Sequence, residues 1–376
     1  MPVELSSVRV GLQQRVLPAY RAPFFESLGA ALPGGLSLFA GQPLPGESIA
    51  AAERLKGLSF VQAHNLHISD PSSPYYLCWQ GGLLDWLNDW QPHVLIVEAN
   101  PRYLNTRRAV RWMYRRGGKV LGWGLGAPPV GGRLKSLRLW ERRSFLRSLD
   151  GIIAYSRRGA QEYKFELSAA GKPQLPVFTA ANAVMPAPSQ PPSERSPEPE
   201  GKPTVLFVGR LQQRKRLDLL LRACAALPES IQPRLLVVGE GPARAAFEAQ
   251  AASLYPAAEF LGEKHGAELD PIYAAADLFA LPGTGGLAVQ QAMAYALPVL
   301  VAQGDGTQDD LVRPANGWQV PPDDLPAMSH ALQAALSDVP RLRQMGLESY
   351  RIVREEVNLE AMVRSFTEAI RAVLAD

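Results

Sequence analysis

Residues 283–298 read GTGGLAVQQAMAYALP, and that stretch decides the fold. The run before it, 277–281 (DLFAL), reads as a buried strand. Glycines open the stretch, and Leu, Ala, Gln and Met, good helix formers, follow. Leu297-Pro298 marks a helix end, because the residue before proline is pushed out of helical geometry. The reading is strand, tight glycine turn, helix. The first amides of such a helix lack internal partners and carry the positive end of its dipole. Gly285 and Gly286 put no side chain in the way, so the turn can receive a phosphate. Taken alone, the stretch equally describes a tight turn with no ligand.

The neighbouring sequence decides between these. Residues 204–223 read TVLFVGRLQQRKRLDLLLRA. Val205 to Val208 is a strand, Gly209 ends it, and Arg210, Arg214, Lys215 and Arg216 crowd the next loop. Leu217, Leu220, Leu221 and Cys224 then recur at helical spacing. A second glycine turn follows a strand at 235–242, LLVVGEGP. With FLGEKHGAEL, YAAADLFALPG, GGLAVQQAMAYALPVL, and GDGTQDDLV followed by NGW, these pieces resemble, in order, the C-terminal domain of family-four glycosyltransferases. The resemblance covers about a third of the chain, from Val205 to about Asp324.

The resemblance implies an α/β fold of GT-B type: two Rossmann-like domains whose parallel sheets face across a cleft. It implies a nucleotide-sugar donor held by the C-terminal domain. Arg210 and Lys215 match the family's two catalytic cations on the donor diphosphate, where fixed charge stabilises the departing group. Gly262, Lys264 and Leu269 match the nucleoside end. Thr284, Gly285, Gly286, Leu287 and Gln291 match the sugar and ribose end. The chain departs from the pattern at two family glutamates. Gln291 replaces one, and its amide can still bond ribose hydroxyls. Gly283 replaces the other and offers no side chain.

The N-terminal half keeps an α/β rhythm. Strands are expected at 8–16, 36–40, 59–67, 93–98, 120–124, 152–155 and 177–180. Helices are expected at about 20–32, 77–90, 106–116 and 134–149. Alternation of this kind predicts a mostly parallel sheet with ligands at the carboxyl ends of its strands. Arg21, Glu98, Asn100 and Arg102 follow strands and are the acceptor-side candidates, with local capping as the alternative. Leu125 stands where many relatives carry a histidine. His64 and His67 are weaker candidates, and His93 and His265 read as structural and exposed, respectively.

The length of 376 residues suits two domains. The divisions expected are 1–185, a Pro-rich linker at 186–203, 204–350, and a terminal helix at 351–376 that packs back toward the first domain. Cys78 and Cys224 fall in different domains and read as core residues. Metal-ligand spacing is missing, and no metal or other cofactor is expected. Neither a secretory leader nor a roughly 18-residue apolar span is visible, so a cytoplasmic protein is expected.

The net charge of +3 is unevenly spread. Thirteen Arg and Lys lie in 102–147, with Glu141 the only acid. Trp112, Tyr114, Trp140 and Phe145 are interleaved. Nucleic acid is disfavoured because no recognition motif accompanies the charge. An anionic membrane surface, on the inner face, suits basic helices with interfacial aromatics. The competing reading is a solvated face with its aromatics in the core. Together these features predict a retaining glycosyltransferase that moves a sugar from a nucleotide diphosphate donor to a sugar or lipid-linked acceptor. The alternative is a non-catalytic relative that binds nucleotide or stabilises a partner enzyme.

Overall fold

The computed structural model describes residues 4–44, 47, 49–71, 73, 76–190, 196, 201–283, 287–304, 306 and 308–375. The chain divides into two compact units, Met1–Val184 with Leu359–Asp376, and Met185–Asn358. The last crossing therefore falls at Leu359 rather than at 351. The expected terminal element is two helices, Val339–Glu355 and Leu359–Ala375. The first carries Leu342, Met345 and Ile352 buried within the second unit, so it stays there.

The first unit is built on a seven-stranded parallel sheet. Its spatial order is Ser59–Gln62, Leu36–Gly41, Val10–Val16, Val94–Glu98, Lys119–Gly124, Gly151–Ala154 and Val177–Thr179. Four of these strands, including Leu36–Gly41 and Gly151–Ala154, are apolar and buried along their whole or nearly whole length, as strands covered on both faces must be. Leu359–Ala375 completes the core. Its Phe366 ring lies 4.9 Å from Phe24 and 5.0 Å from Trp123.

Two sequence expectations change here. The strand at 59–67 is two strands. Ser59–Gln62 joins the main sheet, whereas His64–Ile68 pairs antiparallel with Leu77–Gly81. The helix expected at 77–90 begins only at Leu83. Gly82 has φ +83°, a conformation that glycine adopts without steric cost, and it turns the chain from strand into helix.

The second unit has a six-stranded parallel sheet in the order Ala258–Phe260, Arg234–Val238, Thr204–Val208, Leu278–Leu281, Val299–Ala302 and Gly317–Val320. The segment at 186–203, read as a linker, is fastened to this unit at two described points. Tyr350 donates its hydroxyl to the Gln190 carbonyl at 2.7 Å, and Arg343 Nε donates to the Ser196 carbonyl at 3.0 Å. Cys78 and Cys224 are buried free thiols, one in each unit.

Candidate functional site

Three neighbouring strands of the second unit end in glycine turns on one side of the sheet. After Thr204–Val208 the loop runs from Gly209 into a short 3-10 turn, Gln213–Lys215. The turn after Arg234–Val238 packs against its near end: Gly209 N–H donates to the Val238 carbonyl at 3.0 Å and Leu211 N–H to the Glu240 carbonyl at 2.8 Å. A Cβ on Gly239 would lie closer than 3.0 Å to the Gly209 carbonyl oxygen. Gly283 covers the far end of the loop. A Cβ there would lie closer than 3.0 Å to the Arg214 carbonyl oxygen and to Lys215 Cα. Backbone packed on backbone thus clasps the cation loop from both sides. The missing side chain at 283 has a physical reason, since the Arg214–Lys215 backbone fills its place.

Arg210 is exposed at the start of this loop and Lys215 is half-buried at its end. Burial pushes the Lys215 ammonium down to about 8, and the Arg214 charge adds to the effect. Arg214 donates to Gln212 at 2.9 Å. Arg216, the last of the cations crowding this loop, has a structural part. It takes φ +55° before the helix Leu217–Ala225 and pairs with Asp218 at 3.0 Å.

The remaining donor candidates fall as follows. Gly262 accepts from Gly239 N–H at 2.8 Å, beside the same turns. Lys264 pairs with Glu268 at 3.4 Å, and Leu269 is buried. Leu287 is exposed and opens the helix Leu287–Ala294. Gln291, half-buried on that helix, accepts from the Tyr273 hydroxyl at 3.4 Å. Tyr273 stacks on Tyr295 with centroids 5.0 Å apart. Thr284, Gly285 and Gly286 lie outside the described residues.

The first unit holds a cavity of about 840 Å³ at the carboxyl ends of Val94–Glu98, Lys119–Gly124 and Gly151–Ala154. Glu98, Asn100 and Arg102, expected on the acceptor side, all line it, as does Leu125. Arg21 does not. It is 7% exposed and sits 4.9 Å from the Trp123 ring and 5.0 Å from Tyr155. Both rings line the cavity, so Arg21 stands behind its wall. His64 and His67 are outside the lining; His67 Nδ1 pairs with the Tyr76 hydroxyl at 2.8 Å. His93 Nδ1 accepts from Arg9 N–H at 3.0 Å, the structural part expected of it.

Sequence reasoning missed the wall formed by the helix Lys135–Leu146. With its N-cap Leu134 it presents Leu137, Arg138, Glu141 and Arg142 to the cavity, a one-face spacing that could have been read as such. Burial dominates at Arg142 and lowers its pKa; Glu166, Tyr163 and Glu162 oppose the shift, and the Arg102 charge adds to it.

The basic segment is also sorted by the fold. Trp112 and Phe145 are core residues, with Arg116 over the first at 4.0 Å and Arg107 over the second at 5.5 Å. Arg143 pairs with Glu166 at 2.8 Å. Trp140 is 65% exposed and Leu137 57% exposed on the same helix. Among the described residues no group of three His, Cys, Asp or Glu could hold a metal, and no helix is long and apolar enough to cross a membrane.

Two parallel-sheet units, one bearing a glycine-clasped cation loop, define a GT-B protein. Residues 190–351 match the family model described as Glycosyl transferases group 1. It is 35% identical over 149 residues to a GDP-mannose-dependent alpha-mannosyltransferase of Mycobacterium tuberculosis, covering 39% of this chain and 36% of that one. It is 36% identical over 163 residues to a D-inositol 3-phosphate glycosyltransferase of Nocardia farcinica, covering 40% and 36%. The chain thus spans little more than a third of the length of these relatives. The fold of the whole chain is similar to that of sucrose-phosphate synthase from Thermosynechococcus elongatus, with TM-score 0.66, 19% identity and coverage of 98% and 99%.

Proposed function

We propose that this protein is a retaining glycosyltransferase that takes a sugar from a nucleotide diphosphate donor to an acceptor hydroxyl in glycolipid or polysaccharide assembly. The observation that carries the proposal is the clasped loop of Arg210 and Lys215. A scaffold has no use for two cations mounted on a backbone that cannot move without breaking its glycine contacts. A transferase does, because the leaving diphosphate gains charge as the glycosidic bond breaks. In this reading Arg210 and Lys215 neutralise that charge without a metal, and the Leu287–Ala294 helix terminus assists. Gln291 and the Gly262–Leu269 segment receive the nucleoside. The second unit takes the donor and the cavity of the first unit takes the acceptor.

Calorimetric titration with UDP, GDP, ADP and their sugar nucleotides tests the donor site. One base should bind saturably, and Arg210→Ala or Lys215→Ala should weaken it about 10–100-fold, the loss of a charge-assisted contact. Unchanged affinity in the folded variants would remove the donor site and leave the non-catalytic alternative.

The same helix that walls the cavity carries Trp140, 65% exposed, on another face near Arg147. This supports peripheral docking on an anionic membrane. Apolar side chains flanked by bases are what such a surface takes up.

A further inference from the structure

Among the described residues five non-glycine positions have positive φ, and two of them meet. Arg216, at φ +55°, ends the cation loop and opens the helix Leu217–Ala225. Asp323, at φ +63°, lies between the strand Gly317–Val320 and the helix Leu325–Leu336. The Arg216 guanidinium pairs with the Asp323 carboxylate. It also forks onto Asp218, with Nε to Oδ1 at 3.1 Å and Nη2 to Oδ2 at 3.0 Å.

A left-handed backbone is unfavourable for a residue with a Cβ, and it persists only where the surroundings over-determine it. The two carboxylates do so from two elements. Asp218 sits in the first turn of the helix, where its charge also suits the helix dipole. Asp323 comes from a turn that is itself fixed on both sides. Pro321 and Pro322 precede it, and Asp324 caps the next helix by accepting from Ala327 N–H at 2.9 Å. Aspartate is also among the few residues that enter the left-handed region readily.

Lys215 is the residue before this joint. Lys215 N–H donates to the Gln212 carbonyl and Arg216 N–H to the Gln213 carbonyl, both at 2.9 Å. The 3-10 turn Gln213–Lys215 is therefore held as a piece, and rotation at 216 re-aims that piece against the helix. We infer that Arg216 and Asp323 are positioning residues of the donor site: their ion pair holds the left-handed joint at 216 and so aims Lys215 at the diphosphate. This role rests on the donor site proposed above. The glycine contacts set how closely the loop packs; the ion pair sets the angle at which it meets the helix.

The test uses the full chain, with UDP and GDP as probes in calorimetric titration. Arg216→Gly keeps the left-handed joint without steric cost and removes the ion pair. It should unfold near the wild-type urea midpoint and yet bind the preferred nucleotide about tenfold more weakly. Asp323→Asn should weaken binding about fivefold, and the double variant should bind no more weakly than Arg216→Gly, because one bond is removed twice. Burial holds the Lys215 ammonium near about 8, so wild-type affinity should fall as pH rises through that value. In Arg216→Gly, with Lys215 turned aside, that fall should flatten. Wild-type affinity in Arg216→Gly, an unflattened pH profile, or additive losses in the double variant would overturn the role of the ion pair. Asp323 is exposed, so Asp323→Asn decides the matter if the change at 216 disturbs folding: wild-type affinity there overturns the role. Wild-type protein that binds neither nucleotide overturns the donor reading and this role with it. Binding that is lost in Lys215→Ala but kept in Arg216→Gly and Asp323→Asn overturns this role alone.

Discussion

The two units place their cationic side chains by different means. The second unit works with backbone: Gly239 and Gly283 admit neighbouring main chain so closely that the Arg210–Lys215 loop has one place to be. The first unit works with side chains. Its cavity is walled by Trp123, Tyr155, and the arginines of a loop and a helix, with Arg21 stacked behind the rings. A chemically constant group can be met by fixed main chain, whereas a variable one requires surfaces that substitution can redraw. The first strategy writes short motifs into the sequence; the second leaves scattered residues.

That contrast can be broken at Gly283. Replacing it with alanine puts a Cβ against the Arg214 and Lys215 backbone, and the loop must shift. Overpacking of this kind costs about 1–3 kcal/mol, visible in the urea midpoint of the second unit. Displacement of Lys215 should reduce nucleoside-diphosphate affinity roughly a hundredfold, as small misplacements of charged groups do. A Gly283→Ala protein with wild-type stability and affinity would show that the clasp has no part in the site.

The comparison sharpens through pH. The Lys215 ammonium lies near about 8 because burial disfavours its charge. A bound diphosphate favours the charged form, so binding above that pH must draw in a proton. Affinity should therefore fall as pH rises, by about tenfold between pH 7 and 9. Lys215→Arg, which stays charged, should flatten the profile. A flat wild-type profile would mean that Lys215 does not face the phosphate.

The smallest effect belongs to the outer face of the first unit. Trp140→Ser should lower binding to phosphatidylglycerol vesicles by about fivefold, the loss of one interfacial aromatic. Vesicle binding that ignores this change would move docking off the Lys135–Leu146 helix.

Much of the second unit was legible because its strands and turns are local. TVLFVG and LLVVGEG each encode a strand and the turn that ends it within seven residues. The reason for Gly283 was not legible, since it depends on a loop nearly seventy positions earlier meeting it in space. In the first unit, the misread stretches were those with two periods superposed. Leu77 to Gly81 alternates as a strand and Leu83, Trp86 and Leu87 as a helix, and only the Gly81-Gly82 pair marks the change. The cavity was half legible. Glu98, Asn100 and Arg102 follow an evident strand. Arg138 and Arg142 were lost in the basic run, because position in a helix does not say which face is walled in. Strand order brings 98, 123 and 155 together, and that order is a property of the folded sheet.

The return of Leu359–Ala375 to the first unit also orders the protein's birth. Residues 185–358 form a continuous stretch, so the second unit has its full complement of residues on emerging from the ribosome. The first unit, although its larger part is synthesised earlier, waits with Phe24 and Trp123 lacking Phe366 until the helix Leu359–Ala375 has emerged. Of the two units, the one whose residues are made first is the one completed last, and the arrival of Leu359–Ala375 is the event that lets its core close.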